Sequence, residues 1–258
     1  LATRLGTDAF GDFLAATLDE RGVPDRFVQR DPDRGTTLAF VASDAEGGFS
    51  FYRENTADLH LDTAAVPDAA LDAVSVVCVG GVMLAADPTR SATFDLVARA
   101  RRHDCTVVFD PNSRPELWDE DRDPVVERMV GLADVVKAAT DDHVAAGDPA
   151  AAARSLLDEG PGVAVVTRGA AGAIAAADGT GPWSAGEVEH AGYAVETVDP
   201  TGAGDAFLAG LIAALVEGRS LADAVDLAAA VGALATTGRG AMAALPDRAA
   251  VAALRAED

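Results

Sequence analysis

Basic side chains are what this chain has least of. Its 258 residues carry 20 Lys and Arg against 42 Asp and Glu, a net charge of −22, and Lys137 is the single lysine. Nucleic acids and anionic membranes are bound through clustered positive charge, so this balance excludes both as partners. Cysteine is scarcer still. Cys78 and Cys105 each lie in a β-like apolar run, which predicts buried free thiols rather than a disulfide or a metal pair. The four histidines, His60, His103, His143 and His190, are scattered without ligand spacing and read as surface or structural residues. No apolar run approaches the ~20 residues that cross a bilayer and no leader is visible, so a soluble, cytoplasmic protein is expected.

What is present points to one large core. Hydrophobic residues make up 49% of the chain, and the length fits a single domain with a small appendage better than two domains. The acidity has a second implication: at ~1 M ionic strength the Debye length falls to ~3 Å, so a surface that repels itself in dilute buffer is screened in concentrated salt. A halophilic protein is expected, the plainer alternative being an acidic mesophilic one.

The most informative stretch is Val198-Asp199-Pro200-Thr201-Gly202-Ala203-Gly204-Asp205-Ala206-Phe207, followed by an apolar run to Leu215. It reads as a glycine turn opening a helix. Gly202 and Gly204 let the backbone point its N–H groups outward, and the helix adds its positive end to the same place, which makes an anion site. A phosphoryl group in transit is such an anion. A resting phosphate would repel the Asp205 carboxylate, so Asp205 fits there as acceptor of a proton from an attacking hydroxyl. An aspartate capping an ordinary helix is the bland alternative. The turn lacks the Gly-Lys-Ser/Thr of a Walker A loop and the Gly-x-Gly-x-x-Gly spacing of a dinucleotide fingerprint.

Asp-x-Thr-Gly-Ala-Gly-Asp with an apolar helix behind it resembles the second signature of the ribokinase-like (PfkB) sugar kinases. The resemblance implies an α/β fold with a mostly parallel central sheet, helices on both faces and a small β-sheet lid. It also implies Asp205 as catalytic base, an anion hole made by the N–H groups of Gly202, Ala203 and Gly204, ATP and Mg²⁺ as cofactors, and a K⁺ site near Asp199 and Thr201. Relatives usually carry, upstream, a first strand and a Gly-Gly-x-x-x-Asn segment. Leu1–Gly6 reads here as the end of a helix that begins earlier, and Gly6-Thr7-Asp8-Ala9-Phe10-Gly11 resembles the family's Gly-x-Asp-x-Phe-Gly.

Along the chain, apolar spacing predicts a helix over Phe10–Arg21, and two alternating runs, Thr37–Ala42 and Gly48–Arg53, predict a hairpin turning at residues 44–47. As the family's lid, spanning residues 35–58, these strands would offer Phe51 and Arg53 to the substrate; a dimer-forming sheet edge is the alternative, with a homodimer through the lid. Strands at Ser75–Gly80, Thr106–Phe109, Ala133–Val136 and Gly162–Thr167 alternate with helices, the rhythm of a parallel sheet covered on both faces. Ligands collect beyond the carboxyl ends of such strands. There lies Asp110-Pro111-Asn112-Ser113-Arg114, where alternation in extended backbone puts Asp110, Asn112 and Arg114 on one side, and Arg114 offers planar donors to a phosphate or a sugar.

Asp-Pro-Asn-x-Arg-x-x-Leu-Trp resembles the fructokinase and ketodeoxygluconate-kinase branch, and Gly-Ala-x-x-x-Leu-Pro at 240–246 resembles fructokinases. Lys137, at a strand end in a lysine-poor chain, suits a phosphate. Beyond it, Ala139 replaces the family's serine, and Asp141 stands near the acidic position linked to Mg²⁺. Thr167, Gly169 and Gly172 match the family's Thr-x-Gly-x-x-Gly nucleotide segment, whereas Ala229 stands where many relatives have asparagine. The expectation is an ATP-dependent kinase acting on a primary sugar hydroxyl, with fructose first, 2-keto-3-deoxygluconate second, and ribose or nucleosides behind. A sugar or nucleotide sensor without catalysis is the alternative of a different class.

Overall fold

Short valine- and alanine-rich runs become strands, and the longer alanine- and leucine-rich stretches become helices. The computed structural model describes residues 1–41, 48–118 and 121–256. In chain order the elements are β1 (Ala2–Gly6), α1 (Ala9–Glu20), β2 (Phe27–Asp31), β3 (Leu38–Val41), β4 (Phe49–Tyr52), α2 (Asp68–Leu71), β5 (Val76–Gly80), α3 (Thr89–Arg102), β6 (Thr106–Asp110), α4 (Asp123–Val130), β7 (Val135–Ala139), α5 (Pro149–Asp158), β8 (Val163–Thr167), β9 (Ala173–Ala177), β10 (Gly186–His190), α6 (Ala203–Val216), α7 (Leu221–Ala235) and α8 (Arg248–Ala256). They gather into two compact units. One comprises Leu1–Val74, Val79–Cys105 and Arg114–Val126, the other Ser75–Cys78, Thr106–Ser113 and Glu127–Asp258.

The second unit is organised on a six-stranded sheet of order β10-β9-β8-β7-β6-β5. β6, β7 and β8 run parallel, while β9 and β10 are antiparallel to their neighbours. The sheet is therefore mixed, because the five residues between β8 and β9 are too few for a crossover helix and allow only a reversal. Val163 and Val165 of β8 pack in one cluster with Phe207 and Leu211 of α6 and Val225 and Ala228 of α7. Ala164 and Val166 are buried too. Side chains alternate along a strand, so this second pair faces the opposite side, where α5 packs on β8 and β9. Helices thus cover both faces, which is why β8 reads as an uninterrupted apolar run.

In the first unit β1 pairs in parallel with β2, from Ala2 opposite Phe27 to Gly6 opposite Asp31. β3 and β4 form a separate antiparallel pair, with Phe40 and Tyr52 meeting edge to face at 5.5 Å. The expected hairpin turn at 44–47 lies outside the described residues. Asp8 caps α1, accepting from the Gly11 N–H at 2.8 Å and, with its other oxygen, from Thr36 N–H at 2.7 Å. These donors hold its carboxyl below the usual carboxylate range.

Two expectations change. Residues 1–6 are not the end of a helix: Ala2–Gly6 is a strand, its conformation set by pairing with β2 rather than by local spacing. Of the two free cysteines, Cys105 is buried but Cys78 is exposed, because β5 ends the sheet order and has a neighbour on one side only.

Candidate active site

The site begins at the turn before α6. Gly202 adopts a left-handed conformation, φ +81°, and a Cβ added there would lie 3.0 Å from Ala241, so the bend admits glycine alone. Asp199 secures the turn. One of its oxygens accepts from Thr201 N–H at 2.9 Å and the other from Gly240 N–H at 2.9 Å. Hydrogen bonds from Thr201, and then from Gly240, hold its carboxyl down at about 2. The N–H groups of Val198 and Asp199 in turn donate to the Thr236 carbonyl at 2.8 and 3.0 Å.

An α-helix leaves its first N–H groups without intrahelical partners, and those of Gly202 to Asp205 lie at this end. Ala203, expected to share in holding an anion, gives its N–H to the Pro200 carbonyl at 3.1 Å, which leaves that role to the flanking glycines. Asp205 stands exposed in the first turn.

Lys137 is not at the end of its strand but inside it, since β7 continues to Ala139. Its ammonium donates to Asp110 Oδ2 at 2.9 Å, both side chains being 4% exposed. Burial pushes Asp110 up to about 6. Lys137 opposes that shift, and the nearby Asp142 and Asp205 carboxylates reinforce it. A Cβ on Gly204 would lie only 3.1 Å from Lys137 Nζ. The ammonium therefore sits beside the opening turn of α6, and the structure brings together Lys137, Gly204, Asp110 and the charge of Asp205.

The loop after β6 departs from the expected alternation. Asn112 has φ +36°, and its N–H turns back to Asp110 Oδ1 at 3.1 Å, so Asp110 and Asn112 form a tight turn rather than an extended row. Arg114 is assigned to the first unit, Asp110 and Asn112 to the second. Asp141 is exposed. Its neighbour Asp142 is the buried one, accepting from Ala139 N–H and Ser113 N–H, both at 2.7 Å, and so tying the loops after β6 and β7. Sequence reading missed Asp142; the signal available was only that two acidic residues stand side by side. Among the described residues no group of three or more His, Cys, Asp or Glu is placed to hold a metal ion.

Phe51 and Arg53 also lie in the first unit. Phe51 is half-buried on β4. Arg53 is held by Asp58, Nε to Oδ2 at 2.7 Å, and donates to the Val82 carbonyl at 3.1 Å. Burial works against ionisation of Asp58, but Arg53 and the Thr37 and Thr56 hydroxyls outweigh it and keep its carboxyl low.

A cavity of about 650 Å³ opens in the second unit against the start of α6, lined among others by Ala203, Gly204, Thr167, Gly169, Gly172, Tyr193 and Ala229. Its size falls within the ~300–1,000 Å³ usual for small-molecule sites. Gly172, with φ +82° and ψ −134°, is enforced from both directions: the angles belong to glycine, and a Cβ would stand 2.0 Å from the His190 carbonyl. The turn between β8 and β9 therefore packs directly on the backbone of residues 190–192, which fixes this wall of the cavity.

A family model described as pfkB family carbohydrate kinase matches residues 1–248. The chain is 35% identical over 258 residues to a fructokinase of Klebsiella pneumoniae, a match covering 94% of this chain and 81% of that one. Among solved structures, fructokinase from Xylella fastidiosa with bound ATP superposes with a TM-score of 0.88 at 31% identity, over 99% of this chain and 84% of its own. A double mutant of fructokinase from Vibrio cholerae O395, with fructose, ADP and a potassium ion, gives 0.84 at 33%, over 98% and 83%.

Proposed function

From the premise that this chain belongs to the pfkB family of carbohydrate kinases, and is thus a phosphotransferase acting on a carbohydrate, we propose that it transfers the γ-phosphoryl group of ATP to a primary hydroxyl of fructose. The observation that carries the reading is the juxtaposition at the start of α6: a glycine turn whose Ala203 and Gly204 line a cavity of nucleotide size, with the Lys137 ammonium against Gly204 and an exposed Asp205 next in the chain.

Thr167, Gly169 and Gly172 would hold the nucleotide in that cavity, which supplies the phosphoryl group when bound. Asp205 accepts the proton of the attacking hydroxyl. The N–H groups of Gly202 and Gly204, with the positive end of α6, hold the migrating charge, and Lys137 adds to them. Asp205 exposed and Asp110 buried divide the labour: the first is open to a substrate hydroxyl, the second keeps Lys137 in place. Phe51, Arg53, Asn112 and Arg114 remain the residues proposed to meet the sugar and phosphates, on a lid formed by β3 and β4 and on the loop after β6.

Mg²⁺ would be held chiefly by the nucleotide phosphates and would neutralise their charge: Asp142 is engaged by two backbone N–H groups, and Asp141 belongs to no group of three or more candidate ligands among the described residues. A K⁺ ion suits the ionised Asp199 and the adjoining Thr201. The exposed aromatic rings of Phe40 and Tyr52 on β3 and β4 fit a homodimer through the lid. No helix among the described residues is long and apolar enough to cross a membrane.

The test is an ADP-release screen over sugars with Mg²⁺ and KCl. Fructose should give the highest kcat/KM; a higher value for 2-keto-3-deoxygluconate or ribose reassigns the substrate. Silence on every sugar, with ligand-induced thermal shifts retained, would turn the reading into that of a sensor.

A further inference from the structure

Tyr193 belongs to the cavity wall, yet neither helix nor strand fixes it: residues 191–200 follow β10 without regular structure. Its neighbours on that wall, Gly192, Ala194 and Val195, carry no polar side chain that could anchor the segment. The anchor lies at the hydroxyl, which donates to Asp226 Oδ1.

Asp226 is a half-buried acid on α7, a helix otherwise apolar beyond its first turn. It is held from two further directions. Arg255 of α8 reaches Oδ2 with both Nε and Nη2 at 2.5 Å, and His190 Nε2 lies 3.2 Å from Oδ1. His190 Nδ1 accepts the Gly192 N–H at 3.0 Å, so the hydrogen of the neutral ring sits on Nε2 and is donated to Asp226. Burial disfavours the Asp226 carboxylate, but the Tyr193 hydroxyl and the Arg255 guanidinium outweigh it and keep it ionised. Its one hydroxyl hydrogen is thereby engaged, so the Tyr193 side chain has no donor left for the cavity that the residue lines, and the His190 ring packs beside its ring at 5.1 Å.

We propose that Asp226, clamped by Arg255 of the C-terminal helix, is a positioning residue that sets Tyr193 as the aromatic wall on which the nucleobase stacks. This deepens the kinase reading and rests on its assignment of the cavity to ATP. Base stacking on an aromatic ring is tolerant of sequence but needs a fixed plane. A carboxylate that fixes the ring through its hydroxyl supplies one, and α8 thereby becomes part of the nucleotide site although it touches no ligand.

The experiment measures ATP binding by calorimetry, together with KM for ATP and for the sugar, in the wild-type chain and in Asp226→Asn, Tyr193→Phe, Arg255→Met and Arg255→Lys. Asp226→Asn should raise KM and Kd for ATP about tenfold while KM for the sugar moves by less than about twofold. Arg255→Met should follow it, and Arg255→Lys should recover most of the loss. Should Asp226→Asn fail to fold, Tyr193→Phe, which removes only the hydroxyl, carries the same expectation at a smaller size. Wild-type ATP affinity in folded Asp226→Asn and Tyr193→Phe overturns the proposal, as does a parallel rise in both KM values. Absence of ATP binding by the wild-type chain would instead overturn the cavity's assignment, and the proposal with it.

Discussion

Asp205 owes its position to a glycine three residues earlier: the bend at Gly202 ends the loop and starts the helix whose first turn carries the carboxylate. Asp205→Asn keeps the shape and removes the proposed base. Its kcat should fall ~10²- to 10⁴-fold with the circular dichroism spectrum unchanged; near-normal turnover would end the proposed chemistry. A second residue pair governs stability. Asp110 sits buried against Lys137 and is pushed up to about 6, so the folded chain binds a proton between the ordinary carboxylate range and pH 6 that the unfolded chain releases. The contribution of that shift to stability is full below about 4 and is lost as pH rises through 6. Lys137→Met removes the group that opposes the shift and leaves a buried carboxylate unmatched, a loss of about 3–5 kcal/mol where Asp110 would be ionised. In urea unfolding the deficit should be larger at pH 8 than at pH 5, and an equal deficit at both would show that the pair is not coupled as described.

Among elements, α6 and α7 give the site its rigidity. Phe207, Leu208, Leu211 and Ala214 of α6 pack in the core of the second unit, so the end proposed to bind the anion cannot tilt without disturbing that core. Ser220 starts α7 by accepting from Asp223 N–H at 3.2 Å. The turn between β8 and β9 tolerates little change. Gly172→Ala would set a Cβ against the backbone of residues 190–192 in a conformation that alone costs about 1–3 kcal/mol. Thermal unfolding should drop by several degrees and KM for ATP should rise; a variant with the wild-type melting temperature would show that this wall yields more readily than its contacts imply.

For the whole molecule the dominant quantity is the excess of 22 negative charges. Such self-repulsion is relieved by salt, and ~1 M KCl shortens the screening length to ~3 Å. The melting temperature should climb as KCl rises from dilute buffer to molar concentration, and more steeply than in a salt series of an enzyme of balanced charge. Stability unchanged or lower above molar salt would leave the acidity without a halophilic reading.

What the sequence determined by itself was whatever acts within a few residues. Glycine stereochemistry at 202 and 172, the apolar runs of β6 and β8 and the helix after Asp205 all follow from local geometry and spacing, and with them most of the sheet and the turn proposed as catalytic. The tertiary structure decided what depends on distant partners. Residues 2–6 became a strand only because residues 27–31 lie beside them. Lys137 faced Asp110 across 27 residues, Asp142 rather than Asp141 was drawn inward by Ala139 and Ser113, and Tyr193 met Asp226 across 33. Strand pairing and buried charge are satisfied by groups that local spacing cannot bring to mind, because only the folded chain sets them side by side.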